Sequence, residues 1–175
     1  MREQMRAAAL LLVVAVVAMS PLAARAGGPM IVTGGGTGTF DADLDGDGDT
    51  DGSHFGFGVV VGGTTARGHF ECLMAGNTDI LGLALMAVEG KVTDAAVDAG
   101  TAIFSGTATV NLANGTIFRG VPFSVTVLAG GPGSGQIRLT VIGAFDGVPG
   151  DTILGNGNYD LPWETVATGQ IKIHA

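Results

Sequence analysis

Cysteine, aromatic residues and basic residues are all scarce in this sequence of 175 residues. Cys72 is the only cysteine, which excludes an intramolecular disulfide, so a hydrophobic core or a bound metal must stabilise the fold. Lys and Arg total 8, against 16 Asp and Glu. A chain this acidic repels nucleic acid and anionic lipid, so we expect neither as a partner.

Long hydrophobic runs are also scarce, and the clearest one lies at the N-terminus. Two arginines precede the apolar residues 7–19, and residues 24–26 (Ala-Arg-Ala) form a small-x-small cleavage site. The run is shorter than the roughly 20 apolar residues that a permanent membrane-spanning helix needs. We therefore predict a signal peptide over residues 1–26 and a secreted or periplasmic protein with no membrane association after cleavage. The alternative is an uncleaved membrane anchor, and the cleavage site argues against it.

Glycine, by contrast, is abundant, and all 31 glycines lie in residues 27–175. Glycine weakens helices and favours tight turns. Five segments alternate apolar residues with polar residues or glycine, the period of two typical of half-buried strands: 55–61, 66–74, 102–110, 123–127 and 137–141. We predict one all-β domain over residues 27–175, an antiparallel β-sandwich or barrel-like domain of about nine short strands.

Turn signals separate these segments. The apolar residues 81–88 predict a further strand, and Glu89-Gly90 after them is typical of a turn or bulge. We therefore expect a separate strand to begin at Lys91. Asn114-Gly115 predicts a hairpin turn between two other strands.

An acidic segment, residues 41–52, lies near the start of this domain as an insertion. It has an aspartate at every odd position: Asp41, Asp43, Asp45, Asp47, Asp49 and Asp51. Calcium takes six to eight oxygen ligands, and calcium loops supply them at alternate positions around a glycine at position 6. Registers that start at Asp41 or at Asp43 place a glycine at position 6, but neither has a carboxylate at position 12. We predict a weak calcium site with calcium as the cofactor. The alternative is a solvated acidic loop, because dense like charges repel one another.

The same twelve residues resemble the calcium loops of thrombospondin type 3 repeats and dockerin modules. That resemblance implies calcium binding, and it ends at the missing last ligand. The flanking residues lack a helical pattern, so we do not expect a helix–loop–helix EF-hand.

Other metal-binding or acid–base residues lie near Cys72. His69, Cys72 and Met74 are residue types that together can bind copper. His69 and Cys72 have opposite parity on the predicted strand, so we expect them on opposite faces, with Cys72 and Met74 in the core. His69 and Glu71 share the polar face, where an acid–base pair and a surface charge cluster are both compatible with the pattern, and we favour the charge cluster. The sequence has no nucleophile elbow, phosphate loop or dinucleotide fingerprint.

The order of glycines and aromatic residues along the chain carries a family resemblance. The stretches are residues 34–36, 54–58, 68–70, 88–93, 102–106, 114–115 and 169–173. In these stretches the chain resembles the post-COAP family of small secreted bacterial domains. The resemblance implies a secreted β domain and assigns no catalytic residue, and the aspartate run is not part of the family pattern.

The leading functional hypothesis is a non-catalytic secreted β-sandwich module with a structural or ligand-binding role, steadied by calcium. Its expected partner is an extracellular protein or a polysaccharide. The alternative is a secreted hydrolase acting on a polysaccharide, which would need two carboxylates roughly 5–9 Å apart in a groove. Its candidate acids are Asp146, Asp151, Asp160 and Glu164. A third hypothesis is a subunit that assembles through an exposed strand edge.

Overall fold

A computed structural model describes residues 28–41, 43, 51–63, 65–75, 86–112, 115–148 and 150–174. The predicted signal peptide and residues 81–85 of the predicted apolar strand lie outside these residues. The described residues form nine strands: β1 Met30–Thr39, β2 Gly52–Gly62, β3 Thr65–Ala75, β4 Met86–Asp98, β5 Thr101–Leu112, β6 Ile117–Leu128, β7 Gln136–Val141, β8 Tyr159–Asp160 and β9 Glu164–His174. The all-β class and the number of strands are confirmed. Within the described residues, there is no helix with the length and hydropathy that a membrane span requires.

The strands form one antiparallel sheet that closes into a ring. From β1 to β7, each strand pairs with the next along the chain. β9 lies between β1 and β7 and completes a ring of eight strands, while the two-residue β8 pairs with the end of β7. Of the two predicted architectures, the closed sheet is therefore the one that forms.

The inner face of the ring holds the hydrophobic core. Four phenylalanine rings meet in sequence across it: Phe57 lies 5.2 Å from Phe104, Phe104 lies 5.9 Å from Phe70, and Phe70 lies 5.5 Å from Phe123. These rings come from β2, β3, β5 and β6, so they join strands that are not all neighbours. The predicted alternation is confirmed here, because side chains of one parity are buried along each of these strands.

Two glycines on the inner face make room for these rings. A Cβ atom on Gly34 would collide with the ring of Phe57, and one on Gly90 would lie 2.5 Å from the ring of Phe123. The predicted turn at Glu89-Gly90 is wrong, because β4 continues through it and its register shifts between Val92 and Asp94 instead. Gly90 is required by packing against Phe123 and not by a turn.

One end of the ring is acidic. Because neighbouring strands are antiparallel, the connections that follow β1, β3, β5 and β7 lie at the same end. Acidic residues of the described chain in these connections and at the bordering strand ends are Asp41, Asp43, Asp51, Asp146, Asp151, Asp160 and Glu164. The basic residues after the predicted cleavage site, in contrast, lie within strands: Arg67, Lys91, Arg119, Arg138 and Lys172. We call the end of the ring that holds these seven acidic residues the acidic end.

We expect Gly90→Ala to lower the free energy of unfolding by about 1–3 kcal/mol, because the added methyl group overpacks against Phe123. Gly58→Ala is the matched control, since a Cβ atom there meets nothing within 4 Å. Urea unfolding followed by circular dichroism measures both. The variant Phe123→Leu should relieve part of the Gly90→Ala loss, and equal midpoints for Gly90→Ala and Gly58→Ala would contradict the packing explanation.

Candidate functional site

A cluster of buried polar side chains lies inside the acidic end of the ring. Its members are Asp51, Ser53, Cys72, Tyr159 and Glu164, and none is more than 2% exposed. They come from the start of β2, from β3, from β8 and from the start of β9. In the described part of the chain, every buried side-chain nitrogen and oxygen atom has a hydrogen-bond partner. The cluster is therefore a satisfied polar network within an otherwise apolar interior.

The side chain of Glu164 contacts two strands, β2 and β1. Ser53 Oγ of β2 donates a hydrogen bond to Glu164 Oε2 at 2.6 Å. A Cβ atom on Gly38 of β1 would lie 2.5 Å from that oxygen, so the carboxyl group occupies the space that the glycine leaves. Burial raises the pKa of Glu164 to about 7, while hydrogen bonds from the side chain and the backbone N–H of Ser53 act in the opposite direction.

Cys72 and Ser53 extend this network onto β3. Burial raises the pKa of the Cys72 thiol well above its usual range, and the charge of Glu164 raises it further, while a hydrogen bond with Ser53 acts against both. The Cys72 thiol on β3, the Ser53 hydroxyl on β2 and the Glu164 carboxyl group on β9 thus form one chain of interacting groups. The thiol stays protonated, which is the opposite of the low pKa that a catalytic cysteine needs.

Tyr159 fills the same end of the ring from β8. Burial raises the pKa of its hydroxyl, and the nearby charges of Asp151 and Asp51 raise it further. The hydroxyl is therefore a neutral group beside two carboxylates.

The carboxylates of residues 142–160 are engaged by the chain's own backbone. Asp146 accepts hydrogen bonds from the N–H groups of Gly155 and Gly157, at 2.8 and 2.9 Å. Asp151 accepts from the N–H groups of Gly147 and Ile153, at 2.8 and 3.0 Å. These bonds hold together a segment that has little strand structure of its own.

Asp151 and Asp160 are linked to each other. The backbone N–H of Asp160 donates to Asp151 Oδ1 at 3.2 Å. The carboxylate of Asp160 accepts hydrogen bonds from Thr140 at 2.8 Å and from Asn156 at 2.7 Å. Burial acts to raise the pKa of Asp151, but the backbone hydrogen bonds and the side chain of Asp146 together hold it below its usual range. A depressed pKa of this origin is typical of a structural acceptor.

The predicted calcium ligands are only partly described. Asp45, Asp47 and Asp49 lie outside the described residues. Asp41 and Asp43 are exposed, whereas Asp51 is buried in the polar cluster. Within the described residues, no group of three or more His, Cys, Asp or Glu side chains is arranged to hold a metal ion.

The structure places the residues around Cys72 as their parity predicts. Cys72 and Met74 are buried, and His69 and Glu71 are exposed on the outer face of β3. Sequence analysis did not single out Ser53, although it shares parity with Phe55 and Phe57. Glu164 shares parity with the buried Val166, a signal that could have placed it inside the ring.

A groove of about 370 Å³ lies on the outer face of β1, β2 and β3. Its lining residues are Gly36, His54, Phe55, Gly56, Glu71 and Leu73. Gly56 leaves the surface flat, because nothing lies within 4 Å of the position that its Cβ would occupy. The groove thus combines an imidazole, a carboxylate and the apolar edge of Leu73.

The chain matches no family model, no curated protein and no solved structure. The candidate sites therefore depend on the geometry described above. The resemblance to the post-COAP family stays a prediction.

We expect Cys72 in the native protein to react with an aromatic disulfide reagent at least about 100-fold more slowly than in urea-unfolded protein, because the thiol is buried and protonated. Release of the coloured thiol gives the rate. The signal is unambiguous because Cys72 is the only cysteine, and Cys72→Ala supplies the blank. Similar rates for native and unfolded protein would show that the thiol is accessible and contradict the buried network.

Proposed function

We propose that the protein is a non-catalytic, exported β module with a structural or ligand-binding role. One observation carries this proposal. The acids that a hydrolase would need, Asp146, Asp151, Asp160 and Glu164, are all hydrogen-bond acceptors for groups of the chain itself. A catalytic carboxyl group must instead reach the proton of a bound substrate.

The polysaccharide hydrolase remains the second candidate because of one electrostatic feature. The pKa of Glu164 is raised to about 7, whereas the pKa of Asp151 is lowered. Both residues are at the acidic end of the ring, and opposite pKa shifts in two carboxyl groups of one site are typical of an acid and its base or nucleophile. Glu164 is only 2% exposed, however, so a substrate would reach it only if the ring opened.

Calcium at the acidic segment completes the proposal. Asp41 and Asp43 are exposed, and the segment returns to the ring where the Phe40 N–H donates to the Asp51 carbonyl at 2.9 Å. The carboxylates already concentrated at this end repel one another, so a bound cation would stabilise the fold. A loop without a final bidentate ligand suits the weak, roughly 10⁻⁴–10⁻³ M affinity of extracellular calcium modules.

We expect the melting temperature of the purified protein to rise across a calcium titration to several millimolar, because a ligand that binds only the native state stabilises it. Magnesium is the ionic control. Asp43→Ala with Asp45→Ala should abolish the rise, whereas Asp94→Ala with Asp98→Ala, two exposed acids of β4, should leave it unchanged. An equal response to magnesium, or no response to either ion, would refute the calcium site.

For a binding role, we propose that the outer groove takes a neutral polysaccharide. A flat glycine surface permits close approach of a sugar ring, and His54 and Glu71 can hydrogen-bond its hydroxyl groups. The acidic character of the chain disfavours anionic polymers. A neutral polymer meets no such repulsion.

We expect Gly56→Leu to abolish binding to neutral polysaccharides in a pull-down panel that includes cellulose and chitin, because the new side chain fills the groove. Gly58→Leu is the matched control, since it is on the same face of β2 with open space above it and outside the groove. Both variants should melt like the parent. Equal binding by the two variants, or no binding by the parent, would refute the groove as a polysaccharide site, and release of soluble sugar would favour the hydrolase.

A further inference from the structure

The ring closes at a short seam that begins at Glu164. β7 and β9 share only two residue pairs, Gln136 with Thr165 and Ile137 with Glu164. β1 and β2, by comparison, are paired along the whole length of β1. The loop before β7 extends the contact of β7 with β9. The Val166 N–H donates to the Gly135 carbonyl and the Gly133 N–H donates to the Val166 carbonyl, both at 2.9 Å, and Gly130 forms a backbone bridge with Ile171. We define the closing seam as the start of β9 around Glu164, where β9 lies between β7 and β1; its pairing with β7 is the shortest strand pairing of the ring, whereas its pairing with β1 extends over nine residue pairs.

The carboxyl group of Glu164 lies at this seam, and no cationic side chain of the described residues is its partner. Gly38 packs against it from β1, Ser53 donates to it from β2, and the neutral Cys72 thiol lies near it on β3. The other titratable members of the cluster, Asp51 and Tyr159, contribute no positive charge. Burial and the two hydrogen bonds from Ser53 set the pKa of Glu164, and no charged side chain of the described residues contributes to it.

Protonation therefore decides how well the seam closes. A neutral carboxyl group can remain in this interior with its hydrogen bond to Ser53. An ionised carboxylate here has lost its hydration, and the donors of Ser53 compensate for only part of that loss. Local separation of the start of β9 from β7 and β1 would return the charge to water.

We propose that Glu164 is a proton-binding site that controls the closing seam, which holds when the carboxyl group is neutral and opens more often when it is ionised. The pKa of the native carboxyl group is about 7, above its ordinary value of 4.5, so the native state binds the proton more tightly than the opened state. The stabilisation is fully present below about pH 4.5 and is lost as the pH rises to about 7. Asp151 acts in the opposite direction and at lower pH, because its pKa is depressed.

The reactivity of Cys72 in the purified protein tests this proposal. At each pH from 5 to 8.5, the labelling rate of the native protein is divided by that of urea-unfolded protein, which removes the ionisation of the thiol itself. We expect this ratio to rise by up to about 75-fold between pH 5 and 8.5, which is the part of the roughly 300-fold effect of a shift of about 2.5 pKa units that falls in this pH range. Glu164→Gln should make the ratio independent of pH.

The matched control is Glu71→Gln, which removes an exposed carboxylate next to Cys72 on the same strand and should keep the full pH dependence. The same rise in Glu164→Gln as in the parent, or no rise in the parent, would overturn the proposal. Should Glu164→Gln not fold, carbon NMR of the unaltered protein decides, because a Glu164 carboxyl carbon that titrates near its ordinary value would also overturn it.

Amide hydrogen exchange distinguishes opening at the seam from global unfolding. After correction for intrinsic rates, amides of β9 should lose protection between pH 5 and 8.5, whereas those of β4, on the opposite side of the ring, should not. Equal loss of protection in both strands would show that ionisation unfolds the whole domain, and would overturn the seam as the responding element.

Discussion

The fold depends on filling the interior of a closed sheet with large apolar side chains. A ring of eight strands encloses a volume that must be packed to the density of an organic crystal. Phenylalanine rings from four strands meet there, and Gly34 and Gly90 leave the space that Phe57 and Phe123 occupy. Part of the glycine content therefore has a packing cause, in addition to the turns that glycine permits.

The polar cluster at the acidic end is the exception to this apolar filling. Burial of a carboxyl group costs free energy unless hydrogen bonds replace its hydration. Ser53 supplies such bonds to Glu164, and the raised pKa of Glu164 reflects the part of the cost that remains. Because Glu164 also begins the strand that closes the ring, this electrostatic cost coincides with the shortest strand pairing of the ring.

The carboxylates at the acidic end are of two kinds, those that accept backbone hydrogen bonds and those that are exposed. Asp146 and Asp151 accept backbone N–H groups and so replace the strand partners that their segment lacks. Asp41 and Asp43, at the same end of the ring, are exposed. An excess of negative charge thus accompanies the hydrogen bonds that order the segment after β7, and it is the electrostatic reason why a cation at residues 41–52 would stabilise the protein.

The sequence by itself determined the strands and their inner faces, since the alternation of side chains is a stereochemical property of each strand. Phe70, Cys72 and Met74 could be placed in the core on that basis alone. The reason for a glycine at position 90 could not be predicted in this way, because it is the contact with the ring of Phe123, which lies on β6, a strand that does not pair with β4. The contact between Ser53 and Glu164 likewise exists only because β9 returns to β1 and brings distant parts of the chain together. Tertiary structure alone decided that the sheet closes, and closure decided which of the acids are buried.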